Sequence, residues 1–489
     1  MHLANRDAGG PCGPAGPRAR PSASPDSTRI ISAMAETTTR EFMLGEGSGT
    51  GSGQTLQVGV GPAHPAMHGI IRIQTELDGE IIRKADVEIG YLHRAFEKDC
   101  EVGGYNNAIP YTDRLNYVSP LINNFAYAAA VEKLLGIEVT ERCQYIRTAM
   151  AEISRICDHL TCIGASAMEL GAFTVFLYMI KAREFLWELV EDVTGARLTI
   201  SYGRVGGVRA DLPEGFAAKM ATAFKQTREV LDEVHRLLTG NRIFLDRMVG
   251  VGALSREETI GYAITGPLLR AVGVAYDVRR AQPHWAYDRV QFEIPTQKDG
   301  DNFARYLVRM AEMAQSMRIA EQALAMMPGG PINVDFEGRP IDPAAYVDQG
   351  KQGKTEGLLL VPIRLSPNLQ GQSRPAWEQV NAADKRVVLP PKETAYGSIE
   401  GLMNHFMLIM EGYGIRPPQG EAYFATEGAN GELGFYVVSD GSERPYRVRC
   451  RPPCLPPMAA LHRMLEGEMI ADMIPTFGSV NMIGGELDR

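Results

Sequence analysis

Four consecutive stretches with a helical repeat constrain this chain most, because only a few residues separate one from the next. "SPLINNFAYAAAVEKLLG" stops at Gly136, where a helix C-cap wants glycine. "TERCQYIRTAMAEISRICDHLTCIGASAMELGA" opens on Thr140, a good N-cap, and carries a long apolar face. "FTVFLYMIKAREFLWELVEDVTGAR" and "PEGFAAKMATAFKQTREVLDEVHRLLTGN" repeat the pattern. Long helices joined this tightly bury their apolar faces against one another, which predicts an antiparallel bundle. "GDNFARYLVRMAEMAQSMRIAEQALAMM", "SIEGLMNHFMLIMEGYG" and "PMAALHRMLEGEMIADMIPTFG" add three more helical segments.

Strands flank the bundle instead of alternating with it. "TLQVGV", "IIRIQTEL" and "EIIRKADVEI" precede it, with Asp78-Gly79 reading as the tight turn of a β-hairpin. "GELGFYVVSDGSERPYRVRCRPP" is a second hairpin, turning at Asp440-Gly441. The layout is α+β: a central antiparallel helix bundle, an N-terminal hairpin sheet and a second hairpin near the C-terminus. A chain of 489 residues also exceeds one ordinary core. The expected division is an N-terminal α/β region over 54–118, a bundle core over 119–330, a surface insertion over 340–395 and a C-terminal α+β region over 396–489. Residues 1–53 are rich in Gly, Pro, Ser and Arg without apolar periodicity and read as a disordered extension. "MAETTTREFMLGEG" from Met34 looks like a more natural start, so residues 1–33 read as a start-site artefact.

Composition excludes several functions. A net charge of −9 speaks against nucleic acid. No run of 18 apolar residues occurs, so the chain does not span a membrane, although a partner could hold it against one. No G-x-G-x-x-G follows a predicted strand, which leaves no dinucleotide fingerprint. Seven scattered cysteines without a C-x-x-C indicate a reducing compartment and read as buried or idle thiols, not metal ligands.

The loop "GVGPAHPAMHG" between the first two strands holds two of the nine histidines, His64 and His68. Pro65 between them prevents the helical i, i+4 presentation of a zincin pair. From the residues alone, metal ligation, catalysis and a plain turn all stay open, although loops carry sites more often than cores do. His159 reads as structural, in a helix-face network with Glu152 and Arg155.

"GPAHPAMHG", "GYLHRAFEK", "DRLNYVS", "GARLTISYGRVGGV", "NRIFLDRMVGVG", "YDRVQFEIP", "GELGFYVVSDGSERPYR" and the terminal "GELDR" occur in the order of one family. Together they resemble the 49-kDa, or D-type, component of respiratory complex I, from about residue 55 to 489 with an insertion near 340–390. That family in turn looks like the large subunit of nickel–iron hydrogenases, which hold their metals with two cysteine pairs. The matching stretches here, "DRLNYVS" and "GSVNMIGGELDR", contain no cysteine, so the soft ligands such metals need are absent.

The resemblance implies a peripheral subunit on the cytoplasmic face of a bacterial cell membrane, lining the chamber where NADH:quinone oxidoreductase reduces quinone and couples this to proton pumping. Quinone is then a substrate. FMN and iron–sulfur clusters belong to partner subunits, and this chain alone binds no cofactor and no metal. The implied partners are the subunit with the terminal iron–sulfur cluster, the 30-kDa-type subunit and the membrane quinone-channel subunit. A related complex with ferredoxin or another electron donor, and a non-catalytic assembly scaffold, are the alternatives.

By the same resemblance, His68 and Tyr117 are the imidazole and phenol that meet the quinone. Glu169, in "SAMELGA" where the family usually has aspartate, is the carboxylate behind His68, expected to favour its protonated form. Arg94 and Arg114 lie near the partner's cluster. Thr199 stands where many members carry a histidine that contacts that cluster. Threonine takes no proton between pH 5 and 8, so a lower, nearly pH-independent cluster potential is implied, which suits a low-potential quinone such as menaquinone.

Overall fold

A computed structural model of the chain describes residues 55–335, 338–341, 387–390, 392–397, 399–410 and 414–489. The expected N-terminal extension and most of the 340–395 insertion lie outside these residues.

Three strands open the fold: β1 (Leu56–Val60), β2 (Arg72–Asp78) and β3 (Ile81–Glu88), antiparallel in that order. Asp78 pairs with Ile81, so the turn is Gly79-Glu80, one residue beyond the expected dipeptide. Gly79 has φ +63°, which a two-residue hairpin loop demands and glycine supplies without strain. Ile73, Thr75 and Leu77 alternate inward along β2.

The helices follow as the repeat predicts. Helix α1 (Pro120–Leu135) ends at Gly136 with φ +70°. Helix α2 (Glu141–Glu169) is capped by Thr140, whose hydroxyl accepts the Cys143 N–H at 3.2 Å. Helices α3 (Phe173–Thr194), α4 (Phe216–Val234) and α5 (Asn302–Met326) complete the bundle. α2 packs along both α3 and α5, and α4 touches α3 and α5 in turn. α4 runs into a π turn over His235–Thr239. A shorter helix, α6 (Ile399–Ile409), precedes the second sheet.

That second sheet has three strands, not two. β4 (Gly420–Glu427) joins β5 (Glu432–Ser439) and β6 (Arg447–Arg451), and β4 and β5 lie on α1. The half-polar "GEAYFATE" gave little strand signal on its own; pairing with β5 makes it one.

The expected C-terminal helix is broken for a similar reason. Ile82 N–H donates to the Glu468 carbonyl at 2.9 Å and Gly467 N–H to Ile82 at 2.8 Å, so the chain there pairs with β3 and cannot coil. Two short turns of helix, Leu455–Ala459 and Leu461–Leu465, precede this point, and α7 (Met473–Val480) and α8 (Gly484–Leu487) follow it. A second core forms under the first sheet, with Met67, Ile73 and Ile82 against Leu461, Phe477 and Leu487.

α2 is buried over 22 of its 29 residues, and five of those are Arg147, Glu152, Arg155, Asp158 and His159. Each needs a partner inside the protein, since burying an uncompensated charge costs more than packing returns. Arg147 clasps Glu132 of α1 with two donors at 2.8 and 2.6 Å. Glu152 takes Arg279 at 3.1 Å, which also binds Asp277 at 2.6 Å. Arg155 donates to the carbonyls of Glu427 and Gly428. His159 meets Glu312 of α5 at 2.9 Å, so its partner sits across the bundle and not on its own helix.

Arg279→Met should therefore cost ~3–5 kcal/mol, because Asp277 and Glu152 lose their shared cation in a dry interior. Denaturant unfolding of the purified chain measures this, and a midpoint matching the parent's would contradict it.

Candidate functional site

The histidine loop is a single 3-10 turn, Pro65–Met67, entered at His64 and left at His68. His64 Nδ1 accepts the Ala66 N–H at 3.2 Å and caps that turn. Ala66, Met67, Ile70 and Ile71 are buried in the second core, which leaves His68 and Gly69 projecting between anchors. His68 takes the left-handed conformation, φ +56°, and Gly69 follows at +77°. Both turn the imidazole out of the loop plane; it stays 45% exposed with its ring edge-on to Phe477 at 6.1 Å.

Glu169 is the last residue of α2 and approaches His68 from the bundle, Oε1 to Nε2 being 4.0 Å. That is beyond hydrogen-bond reach. Burial alone lifts the Glu169 carboxyl to about 7, and burial also lowers His68. The two therefore stand together, but the expectation that Glu169 favours a protonated His68 needs correction. A carboxyl lifted to about 7 is only partly ionised at neutral pH and, at 4.0 Å, is a weak ionic partner for the ring. The second oxygen of Glu169, Oε2, is buried with no hydrogen-bond partner among the described residues.

Tyr117 is held from both sides by Asp158 on α2. Asn116 Nδ2 donates to Asp158 at 2.9 Å and the Ser119 hydroxyl at 2.7 Å, while Asn116 Oδ1 accepts the amides of Val118 and Ser119. The phenol is half-exposed, with no hydrogen bond among the described residues. Burial raises its pKa first, and the Cys454 thiol and the carboxyls of Glu486 and Asp158 add to this. Behind it, the Cys454 thiol donates to buried Glu486, and burial raises Glu486 to about 8. Asn481 Nδ2 reaches Asp158 at 2.8 Å. Sequence reasoning passed over Glu486 and Cys454: the first lay in a quoted terminal motif without a role, the second read as an idle thiol.

Arg94 and Arg114 come together through the backbone. Arg94 Nη2 donates to the carbonyls of Arg114 at 2.7 Å and Gly485 at 3.2 Å, tying the first region to the C-terminal segment. Arg114 itself is exposed and donates to the Pro110 carbonyl. Its neighbour Asp113 is buried and accepts the Ser201 amide at 2.8 Å, together with the Ser201 hydroxyl and Asn124. That contact docks the loop carrying exposed Thr199, two residues before Ser201, on the segment of Asp113.

Exposed side chains thus stand over the same C-terminal helices in two places: His68, backed by the largely buried Glu169, over α7, and Tyr117 with Arg94 over α8. Comparison with known proteins decides what the arrangement belongs to. Residues 169–354 and 369–489 match the family described as "Respiratory-chain NADH dehydrogenase, 49 Kd subunit". The chain belongs to that family.

Its relatives include a D-type subunit of the NADH-quinone oxidoreductase of Sorangium cellulosum, 48% identical over 89% of this chain and 96% of the relative. The D-type subunit of the same enzyme from Myxococcus xanthus is 47% identical over 89% of this chain and 92% of that protein. That of Geotalea uraniireducens is 40% identical over 90% of this chain and all of its own length. Among the described residues, no group of three or more His, Cys, Asp or Glu could hold a metal, and no helix is long and apolar enough to cross a membrane.

The raised Glu169 pKa has a consequence for this family member's stability. Folding takes up a proton at Glu169 between the ordinary carboxylate range and about pH 7, so the group costs nothing at pH 4 and progressively more as pH rises through 7. Glu169→Gln should match the parent at pH 4 and exceed it at pH 8 by ~2–3 kcal/mol, after allowance for partial exposure. Unfolding midpoints at the two pH values test this, and a pH-independent difference would refute it.

Proposed function

We propose that this subunit of NADH-quinone oxidoreductase forms the quinone headgroup site, with His68 and Tyr117 as the groups that meet the two carbonyl oxygens. The observation that carries the reading is the pairing of an exposed imidazole with a buried carboxyl at 4.0 Å whose proton is exchangeable near neutral pH. Reducing a quinone takes two electrons and two protons. Electrons come from an iron–sulfur cluster in a neighbouring subunit; this chain's residues handle the protons.

Near pH 7 His68 is largely neutral and can bind a carbonyl oxygen through one ring N–H, while Glu169 is poised to replace the proton it gives. Tyr117, a phenol with pKa above 10, donates a hydrogen bond without ionising. The carboxyls of Glu486 and Asp158 behind it discourage a phenolate, so the donor form is kept. Met168, Phe173 and Leu177 are exposed around Glu169 and supply an apolar rim for the isoprenoid quinone and for partner subunits.

Arg94, Arg114 and Thr199 form the face toward the terminal cluster. A guanidinium there stabilises the reduced, more negative cluster and raises its potential, whereas Thr199 adds no titratable charge. The 30-kDa-type and membrane quinone-channel subunits are the other proposed neighbours, at the cytoplasmic face of the cell membrane. The relatives' names, which specify NADH and quinone, favour this over a ferredoxin-linked complex.

In the assembled complex, His68→Ala and Tyr117→Phe should each lower quinone reduction by about a hundredfold while leaving subunit content unchanged. Full activity in both would return the chain to a scaffold role. A redox titration of the neighbouring cluster should give a nearly pH-independent potential that becomes pH-dependent in Thr199→His. A slope of one proton per electron in the parent would remove Thr199 from that face.

A further inference from the structure

The fully buried charges of α2 meet opposite charges, with one exception. Asp158 is 0% exposed, and among the described residues no Lys, Arg or His pairs with it. Its two oxygens accept three neutral donors instead. Oδ2 takes Asn116 Nδ2 at 2.9 Å and the Ser119 hydroxyl at 2.7 Å, and Oδ1 takes Asn481 Nδ2 at 2.8 Å. A carboxylate accepts on every side and donates on none, so it can receive donors from two opposing segments at once. Burying it without a cation costs stability, which the ion pairs elsewhere on α2 offset. The use of the arrangement is geometric.

The two segments belong to the two halves of the proposed quinone site. Asn116 and Ser119 bracket Tyr117, and Asn116 Oδ1 also holds the Val118 and Ser119 amides at 3.1 and 3.2 Å. Asn481 is the C-cap of α7, in the left-handed conformation at φ +57°. That helix carries Phe477, edge-on to His68, and Gly478, where an added Cβ would lie 2.7 Å from Glu169 Oε2. Other contacts tie α7 to α5: Thr476 Oγ1 accepts Asn302 Nδ2 at 3.1 Å, and Ser479 Oγ accepts Arg305 Nη1 at 2.9 Å. Of these anchors, Asp158 alone also holds the segment of Tyr117.

We infer that Asp158 is a positioning residue for quinone reduction. By clasping Asn116 and Ser119 with one oxygen and Asn481 with the other, it sets the separation of Tyr117 from His68. The inference rests on the proposed role of those two groups as the ones that meet quinone. A quinone ring carries its two carbonyl oxygens at a fixed span. Both are met only while the phenol and the imidazole keep the matching distance, and small misplacements of such groups are costly in rate. Asp158 touches no reacting atom and acts through the residues it holds apart.

The polarity of the Asp158–Asn481 contact makes this testable. Asn481→Asp sets a second carboxyl against Asp158, acceptor against acceptor, and loosens α7 from the Tyr117 segment. Adding Asp158→Asn exchanges the pair. The new amide oxygen then takes Asn116 and Ser119, and its nitrogen donates to the new carboxylate. Asn430, which accepts from Asn481, donates in turn by rotating its own amide.

The assembled complex is assayed with a short-chain quinone at pH 8, where two facing carboxyls share a proton least readily. Asn481→Asp should lower kcat/KM about tenfold. The exchanged pair should return it to within about twofold of the parent. With Tyr117→Phe already in place, Asn481→Asp should cost less than about twofold more, because a ring held by His68 alone no longer feels the spacing. A general packing defect would instead multiply with Tyr117→Phe. Should Asn481→Asp fail to assemble, recovery of assembly and rate in the exchanged pair supports the inference, and continued failure overturns it. Parent kcat/KM in Asn481→Asp, no recovery on adding Asp158→Asn, or full multiplication with Tyr117→Phe would each overturn the positioning role and leave the quinone site standing. Parent activity in Tyr117→Phe would overturn the proposed site itself.

Discussion

The structure depends on a single costly arrangement: a 29-residue helix that carries charge into the centre of the protein. Because α2 is covered on nearly every side, each of its ionised groups dictates what may stand opposite. Arg147 fixes α1 and Arg155 holds the turn between β4 and β5. Glu152 and His159 bring in the segments around Arg279 and Glu312. Asp158 fixes the loop of Tyr117, and the far end of the same helix presents Glu169 to His68. Fold and site are thus set by one row of residues, and a shift of α2 along its axis would disturb both.

The C-terminal segment is the complement to that helix. α7 supplies Phe477 beside His68 and Gly478 beneath Glu169, while α8 puts Glu486 behind Tyr117 and the Gly485 carbonyl under Arg94. The site is therefore a seam between elements distant in sequence. Its two pairs of polar groups differ in electrostatic character. Among the described residues Glu169 has no cation at hydrogen-bond distance and is held near neutrality by burial, whereas Glu152 deeper along α2, and Glu312 of α5 beside His159, are matched by arginines and stay ionised. The first kind suits the proton exchange proposed for this seam, and the second suits rigidity.

Much of this was legible in the sequence. Helix starts and stops at Thr140 and Gly136 follow from capping chemistry, and the hairpin around Gly79 from turn chemistry, because both are local. What escaped was set by tertiary pairing. "GEAYFATE" becomes a strand only against β5, and the segment after Leu465 is unwound only because β3 claims its backbone. The site divides in the same way. Motifs point to His68, Tyr117 and Glu169 as candidates, but not to the state of Glu169, since its burial depends on α7, some 300 residues away in sequence. Cys454 and Asp158 carried no sequence signal, because a lone thiol, or a lone charge on an apolar helix, reads the same whether or not it faces a site.

The Asp488 carboxylate accepts the backbone N–H groups of Gly90 and Leu92 at 3.0 and 2.9 Å, and His93 meets its carbonyl. The amides of Gly90 and Leu92 are therefore shielded from hydrogen exchange only while residues 484–488 stay docked, so their exchange rates report the opening of this seam separately from that of the bundle.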